Sequence, residues 1–182
     1  MDQGAADGPG AWLAIGSEVA RALGGVAAGD LAALEATFGD AERRWFFGGQ
    51  GRSGLVARMA AMRMMHIGRR VHVVGEATAP SIRADDGLLI ISGSGGTPVS
   101  TLQARVASGE GAQVAVITRN PDSELAAIAD VTVSIPVSHT RQLGGNLFEQ
   151  ASLLILDGLV QRISGNLADA QARLRYLHSN MQ

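Results

Sequence analysis

Short apolar runs alternate along this chain with segments of helical periodicity, and this alternation constrains the fold more than any other feature. Runs this apolar are typical of parallel strands that are buried on both faces, and the helix-length segments between them supply the crossovers. We therefore predict an α/β fold with a five-stranded parallel sheet flanked by helices. The predicted strands are 44–47, 70–74, 87–91, 113–118 and 131–135, and the helices between them include 53–67, 98–107, 123–129 and 146–164.

Helical patterns also precede and follow the predicted sheet. Apolar residues recur at helical spacing over 12–26, and Asp30 is placed to cap a second helix over 31–38. A last helix is predicted over 167–177, whereas residues 1–10 are rich in Gly, Asp and Pro and are expected to fray.

These end segments bear on domain organisation and assembly. We predict one domain over 1–182, with N-terminal helices at 1–40 and a C-terminal tail at 166–182. The end helices carry apolar stripes that a five-stranded core need not consume. Such stripes are typical of subunit interfaces, so we expect a homo-oligomer, specifically a tetramer.

Charge and composition exclude several classes of protein. Against 17 Asp and Glu stand 15 Lys and Arg, a net charge of -2, so no basic surface indicates nucleic-acid binding. The absence of cysteine excludes disulfides and thiolate chemistry, and the four scattered histidines lack metal-ligand spacing. Neither a signal peptide nor an apolar stretch of about 18 residues is found. We expect a cytoplasmic protein with no membrane partner.

A Ser/Gly/Thr loop follows the third predicted strand, where glycines separate Ser92, Ser94 and Thr97. A strand that leads through such a loop into a helix directs free N–H groups and the helix dipole at an anion. The hydroxyls add donors, and Gly95 permits a ligand to approach the backbone. No Lys follows the loop, which excludes a nucleotide P-loop. We predict a site for the phosphate of a small metabolite; a flexible strand-to-helix turn without a ligand is the alternative.

A second glycine-rich loop, 48–54, follows the first predicted strand and opens a helix. Ligands of parallel sheets bind beyond the carboxyl ends of the strands, so this loop is a second candidate for substrate binding. The residues of this loop that we predict to bind substrate are Gly51, Arg52 and Ser53. Gly49, Gly51 and Gly54 also match the spacing of dinucleotide-binding loops, but that function needs an acidic residue at the end of the second strand. Glu76 lies outside that strand, so the dinucleotide site is the weaker interpretation.

Six stretches together resemble the sugar isomerase (SIS) domain family, whose members bind phosphosugars through Ser/Thr loops. They are GQGRSGLVAR (49–58), MRMMHIG (62–68), VVGE (73–76), ISGSGGT (91–97), ITRNPDS (117–123) and QLGGNLFEQ (142–150). The resemblance implies a SIS-type, flavodoxin-like three-layer sandwich, a phosphosugar substrate, and neither a metal nor an organic cofactor. Within the family, the similarity is greatest to isomerases that interconvert a 3-hexulose 6-phosphate and fructose 6-phosphate, in the ribulose monophosphate route of formaldehyde fixation. The chain departs from the family pattern at Gly96, often Glu, and at Gln50, often Ala.

The resemblance implies that Glu149 transfers protons. Moving a carbonyl from C3 to C2 needs a base that removes the C2 proton and returns one at C3 through an enediol. Glu149 lies at the start of an apolar helix, directly after the polar loop 142–146, and is the predicted base. The residue pattern alone supports another role, because with Asn146 as N-cap Glu149 would complete a capping box.

A second group must move protons on the substrate oxygens, and two histidines are candidates. His178 ranks first, because it lies in the tail and related isomerases bring such a His across a subunit boundary. His66 ranks second; it ends the first helix of the sheet, where a His also suits the negative end of the helix dipole. Arg52 is predicted to balance phosphate or enediolate charge, or else to pair with a surface acid.

Two other classes of function remain open. A noncatalytic phosphosugar sensor would keep the serine loop without needing Glu149, although the chain has no DNA-binding appendage. A dinucleotide-binding enzyme is excluded if NAD(P) gives no thermal shift where fructose 6-phosphate does.

Overall fold

The computed structural model describes residues 10–137 and 139–181, which form five strands and seven helices. The strands are β1 (Trp45–Gly49), β2 (Val71–Val73), β3 (Gly87–Ile91), β4 (Gln113–Thr118) and β5 (Val131–Ser134). The helices are α1 (Gly10–Gly24), α2 (Ala28–Thr37), α3 (Gly51–His66), α4 (Pro98–Gly109), α5 (Glu124–Ile128), α6 (Asn146–Ile163) and α7 (Leu167–Leu177). Of the residues 1–10 that were expected to fray, Gly10 begins α1, and residues 1–9 lie outside the described residues.

The strands form one parallel sheet in the order β2-β1-β3-β4-β5, which confirms the predicted five-stranded sheet. In its centre, Gly49 of β1 is in register with Ile91 of β3, and Ile91 with Ile117 of β4. The carboxyl ends of these three strands therefore meet at one edge of the sheet, and the loops that follow them are neighbours.

Helices cover both faces of the sheet, as the resemblance implied. Successive residues of β3 point to opposite faces: Leu89 and Ile91 pack under α1, α2, α3 and α6, whereas Leu88 and Ile90 pack under α4 and α5. All five residues of β3 are buried. This double burial explains why the strands read as continuous apolar runs in the sequence.

The predicted element types are confirmed, but Asp30 does not cap α2. The helix begins after Ala27 without a side-chain cap. The Asp30 carboxylate instead accepts a hydrogen bond from the backbone N–H of Ser134, 3.2 Å away in the edge strand β5. The prediction was wrong because a strand N–H, distant in sequence, takes the carboxylate that the local pattern had assigned to the helix end.

Candidate active site

The loop between β3 and α4 gathers three hydroxyl groups. The Oγ1 atom of Thr97 lies 3.4 Å from Oγ of Ser92 and 3.4 Å from Oγ of Ser94. Ser92 is buried, Thr97 is half-buried and Ser94 is exposed, so the cluster reaches from the core to the surface. Within the described part of the chain, the backbone N–H groups of Ser94 and Thr97 donate no hydrogen bond. Because α4 starts directly after Thr97, its first-turn N–H groups and its dipole also face this loop.

Gly95 determines the shape of this loop. It has φ +66°, and a Cβ atom placed on it would overlap the side chain of Ser123. Its carbonyl oxygen accepts a hydrogen bond from the backbone N–H of Leu125, 3.0 Å away, which ties the loop to α5. Gly95 was predicted as a binding residue; the structure gives it a defined role in holding the loop.

The loop after β1 is compact because two glycines touch. A Cβ atom on Gly54 would lie 2.7 Å from the carbonyl oxygen of Gly49, so neither position accepts a side chain without a shift of the backbone. This contact places the first turn of α3 directly against the end of β1. Gly51 and Ser53 lie in that turn, with Ser53 buried and Arg52 between them exposed.

Arg52 and Glu149 form an ion pair between α3 and α6. The Nε atom of Arg52 lies 3.1 Å from each carboxylate oxygen of Glu149, and Nη1 donates to Oδ1 of Asn146 at 2.8 Å. The Glu149 side chain is only 16% exposed, against 55% for Arg52. Two roles were predicted for Arg52: to balance substrate charge, or to pair with a surface acid. The structure pairs it with an acid, and that acid is Glu149, the predicted catalytic base.

The predicted capping box at α6 is not formed. The N-cap is Gly145 rather than Asn146, and it makes no side-chain cap. Glu149 thus lies one position beyond the capping site, and its carboxylate faces Arg52 instead of a backbone N–H. The side chains of Asn146 and Glu149, which the local pattern assigns to helix capping, both bind Arg52 of α3 instead.

Glu18 of α1 holds the loop that carries this arrangement. Its carboxylate accepts hydrogen bonds from Oγ1 of Thr140 at 2.6 Å, from N of Arg141 at 3.1 Å and from Nε2 of Gln142 at 3.2 Å. The sequence pattern marks Glu18 only as a polar position of an amphipathic helix, so it was missed.

The same loop then passes over the ion pair. A Cβ atom on Gly144 would lie 3.0 Å from Nη2 of Arg52, and one on Gly145 would lie 3.2 Å from Oε1 of Glu149. Bare backbone is thus packed against both charged groups. Gly144 also has φ +58°, a conformation that favours glycine, and a side chain at either position would push slightly on the guanidinium or the carboxylate.

The two candidate histidines lie together, but far from Glu149 of the same chain. The rings of His66 and His178 stack with centroids 5.4 Å apart and planes 9° from parallel. His66 ends α3, whereas Arg52 begins it, and at a rise of about 1.5 Å per residue the helix separates them by about 20 Å. Burial, and after it the nearby His178, lowers the pKa of His66, which favours the neutral imidazole. One chain alone does not bring either histidine to the carboxylate.

The described residues contain no group of three or more His, Asp and Glu side chains placed to hold a metal ion. No helix among them combines the length and apolar character needed to cross a membrane.

The fold and the loop geometry define a class of α/β proteins with an anion-binding loop at the carboxyl edge of a parallel sheet. The family model of the SIS domain matches residues 40–155. The 3-hexulose-6-phosphate isomerase of Mycobacterium gastri is 44% identical over 147 residues, which cover 76% of this chain and 74% of that protein. The isomerase of the same name from Methylomonas aminofaciens is 33% identical over 150 residues, covering 79% and 83%.

A crystal structure from Methanococcus jannaschii agrees with these matches. Its molecular function was inferred as 3-hexulose-6-phosphate isomerase, and it superposes with a TM-score of 0.83 at 28% identity, covering 94% of this chain and 99% of that chain. The present chain therefore belongs to the SIS domain family, within the group of the 3-hexulose-6-phosphate isomerases. The resemblance read from the sequence is confirmed.

The Glu18 contacts generate a prediction about the loop 140–145. Glu18→Ala removes the acceptor of three hydrogen bonds, so the amides of this loop should exchange hydrogen faster at pH 7 than in the wild type. Hydrogen exchange followed by mass spectrometry measures this. Glu110→Ala, which removes an exposed glutamate at the end of α4, should leave the loop unchanged.

The same interaction should depend on pH. The Thr140 hydroxyl, followed by the N–H of Arg141, lowers the pKa of Glu18 below its ordinary value of 4.5. The unfolded state then binds this proton more tightly, so the stabilisation is fully present above the ordinary pKa and is lost as the pH falls through the lowered one. The Tm difference between wild type and Glu18→Ala should shrink as the pH falls from about 6 to about 3. A difference independent of pH would contradict the assignment.

Proposed function

We propose that this chain interconverts D-arabino-hex-3-ulose 6-phosphate and D-fructose 6-phosphate, in the ribulose monophosphate pathway of formaldehyde fixation. The observation that carries the proposal is the position of the Glu149 carboxylate. It is held by Arg52 at the carboxyl edge of the sheet, where the loop of Ser92, Ser94 and Thr97 also lies. A carboxylate base next to a phosphate site is what the isomerisation of a sugar phosphate requires.

The residues have separate roles in this mechanism. The hydroxyls of Ser53, Ser92, Ser94 and Thr97, with the N–H groups of the loop after β3, bind the phosphate of the substrate. Glu149 removes the proton from C2, which gives the 2,3-enediol, and returns it to C3 while the carbonyl forms at C2. During this step a proton leaves the oxygen on C2 and one is added to the oxygen on C3, so a second acid–base group is needed. Arg52 orients the Glu149 carboxylate and offsets negative charge on the enediolate.

The second acid–base group is proposed to come from a neighbouring subunit. His66 lies about 20 Å along α3 from Arg52, the partner of the Glu149 carboxylate, and His178 stacks on His66. The two histidines are therefore proposed to reach a Glu149 only in an oligomer. Helix α7 supports this proposal, because Leu174 and Tyr176 remain exposed on it. An apolar groove between α1 and α6, lined by Ile15, Val19 and Leu153, would be covered in the same assembly. The tetramer, the single-domain organisation over 1–182 and the cytoplasmic location remain predictions.

A coupled assay tests the function and the base together. Fructose 6-phosphate formed from enzymatically prepared hexulose phosphate should be detected with the wild type, whereas Glu149→Gln should lower kcat by at least ~100-fold. Gln keeps the size of the side chain and one acceptor for Arg52, and a partly exposed ion pair contributes little to stability, so Tm should change little. Glu124→Gln is the matched control, since it also removes a carboxylate from an ion pair with arginine.

The outcomes of this assay separate the alternatives. Binding of fructose 6-phosphate without turnover by the wild type would identify a phosphosugar sensor. Wild-type turnover in Glu149→Gln would remove this residue from the mechanism.

Ser94→Ala tests the phosphate loop. Ser94 is exposed at the mouth of the hydroxyl cluster, and a donor to the phosphate binds ground and transition states alike. Loss of a hydrogen bond to a charged group should raise KM by about tenfold or more and leave kcat nearly unchanged. Ser108→Ala, at the other end of α4, should alter neither constant. An unchanged KM in Ser94→Ala would show that this hydroxyl does not bind substrate.

Complementation tests the proposed origin of the histidine. Inactive Glu149→Gln and inactive His178→Ala chains are mixed, dissociated and reassembled. If the two residues of one site come from different chains, some mixed sites are wild type and activity should return in part. If hybrids form without any recovery, His178 does not complete a neighbour's site.

A further inference from the structure

Arg119 lies beside the hydroxyl loop and has no role in the mechanism described so far. It directly follows β4, whose carboxyl end is level with that of β3. The carbonyl oxygen of Gly93, within the loop, accepts two hydrogen bonds from this residue: from its backbone N at 3.3 Å and from its side-chain Nε at 3.2 Å. The side chain is thereby turned back toward the loop rather than extended into solvent.

The surroundings of Gly93 fix this position further. A Cβ atom on Gly93 would lie 3.2 Å from the Phe148 ring and 3.3 Å from Nε of Arg119. The loop backbone, the aromatic ring and the guanidinium are therefore in close proximity. Phe148 belongs to α6, the helix that also carries Glu149, so Arg119 and α6 meet at the same loop residue.

The guanidinium of Arg119 is anchored only through Nε. Within residues 10–137 and 139–181, its Nη1 and Nη2 groups donate no hydrogen bond, and no carboxylate oxygen lies within 4 Å of its nitrogens. Two NH₂ groups in a fixed plane are the arrangement that binds two oxygens of a phosphate. An exposed guanidinium held at its base keeps both of them available.

Charge balance indicates what this guanidinium binds. A phosphate monoester carries a charge of about -1.5 to -2 at pH 7, whereas the loop offers only neutral hydroxyl and amide donors. The guanidinium of Arg52 faces the carboxylate of Glu149, so its charge is already matched. Arg119, by contrast, contacts the loop at Gly93 and has no carboxylate partner among the described residues.

We infer that Arg119 binds the phosphate group of the substrate through its two terminal nitrogens, alongside the hydroxyls of Ser92, Ser94 and Thr97. This inference rests on the proposed function in one respect, the identity of the sugar phosphate. The phosphate contact itself can be tested without turnover.

The test compares Arg119→Gln, Arg119→Lys and the wild type, with Arg105→Gln as matched control. Arg105 is an exposed arginine paired with Glu124 through Nη2, so the control removes the same charge without touching the loop. Binding of inorganic phosphate and of fructose 6-phosphate is measured by calorimetry, and KM and kcat by the coupled assay.

In Arg119→Gln the Kd of inorganic phosphate and the KM should both rise by about 10- to 100-fold, with kcat changed less than about threefold. Arg119→Lys keeps the charge but loses the two-oxygen contact, so it should lie between Arg119→Gln and the wild type. Arg105→Gln should match the wild type.

Two results would overturn the inference. One is an unchanged Kd for inorganic phosphate in Arg119→Gln, even if KM rises, because Arg119 would then contact another part of the sugar. The other is an equal loss in Arg105→Gln, which would indicate a general charge effect. If the wild type binds phosphate, Arg119→Gln does not, and neither isomerises the hexulose phosphate, the inference stands and the proposed function fails.

Discussion

The burial of β3 on both faces is the constraint on which the rest of the molecule depends. Its side chains fill the cores under two separate layers of helices, so a shift of one residue would exchange the residues of the two cores. The strand is therefore fixed in register with β1 and β4, so that Gly49, Ile91 and Ile117 lie side by side at the carboxyl edge of the sheet. The polar loops owe their proximity to this apolar strand rather than to contacts between themselves.

The packing of α3 against α6 then positions the carboxylate. Helix α3 packs against both the sheet and α6, and its residues Ala57, Ala60 and Ala61 are buried. Ion pairs between α3 and α6 lie at both ends of this contact, Arg52 with Glu149 and Arg63 with Asp157, the latter at 2.9 Å. Glu149 is thus held on a helix whose orientation the core determines, as the proposed proton transfer between C2 and C3 requires.

The strands and helices could be predicted from the sequence because a short, continuous apolar run is typical of a parallel strand buried on both faces. The two polar loops were also identified, since a strand end followed by Ser and Gly has a local meaning. The contacts that organise the site were not, because they join residues far apart. Glu18 and Thr140 are 122 positions apart, and Arg52 and Glu149 are 97 apart. Where a local pattern competed with such a contact, as in capping by Asn146, the tertiary contact prevailed.

The departure from the family pattern at Gly96 does not alter the shape of the hydroxyl loop. A Cβ atom on Gly96 meets nothing within 4 Å, so the loop would accept a side chain there and its shape does not require glycine. This separates Gly96 from Gly95, whose positive φ and contact with Ser123 exclude any side chain. A glutamate at position 96, which the family often has, would add negative charge next to a phosphate without altering the backbone that binds it. Its absence therefore leaves the proposed anion site intact, and the mechanism proposed above takes its carboxylate from Glu149, which the helix pair holds in place.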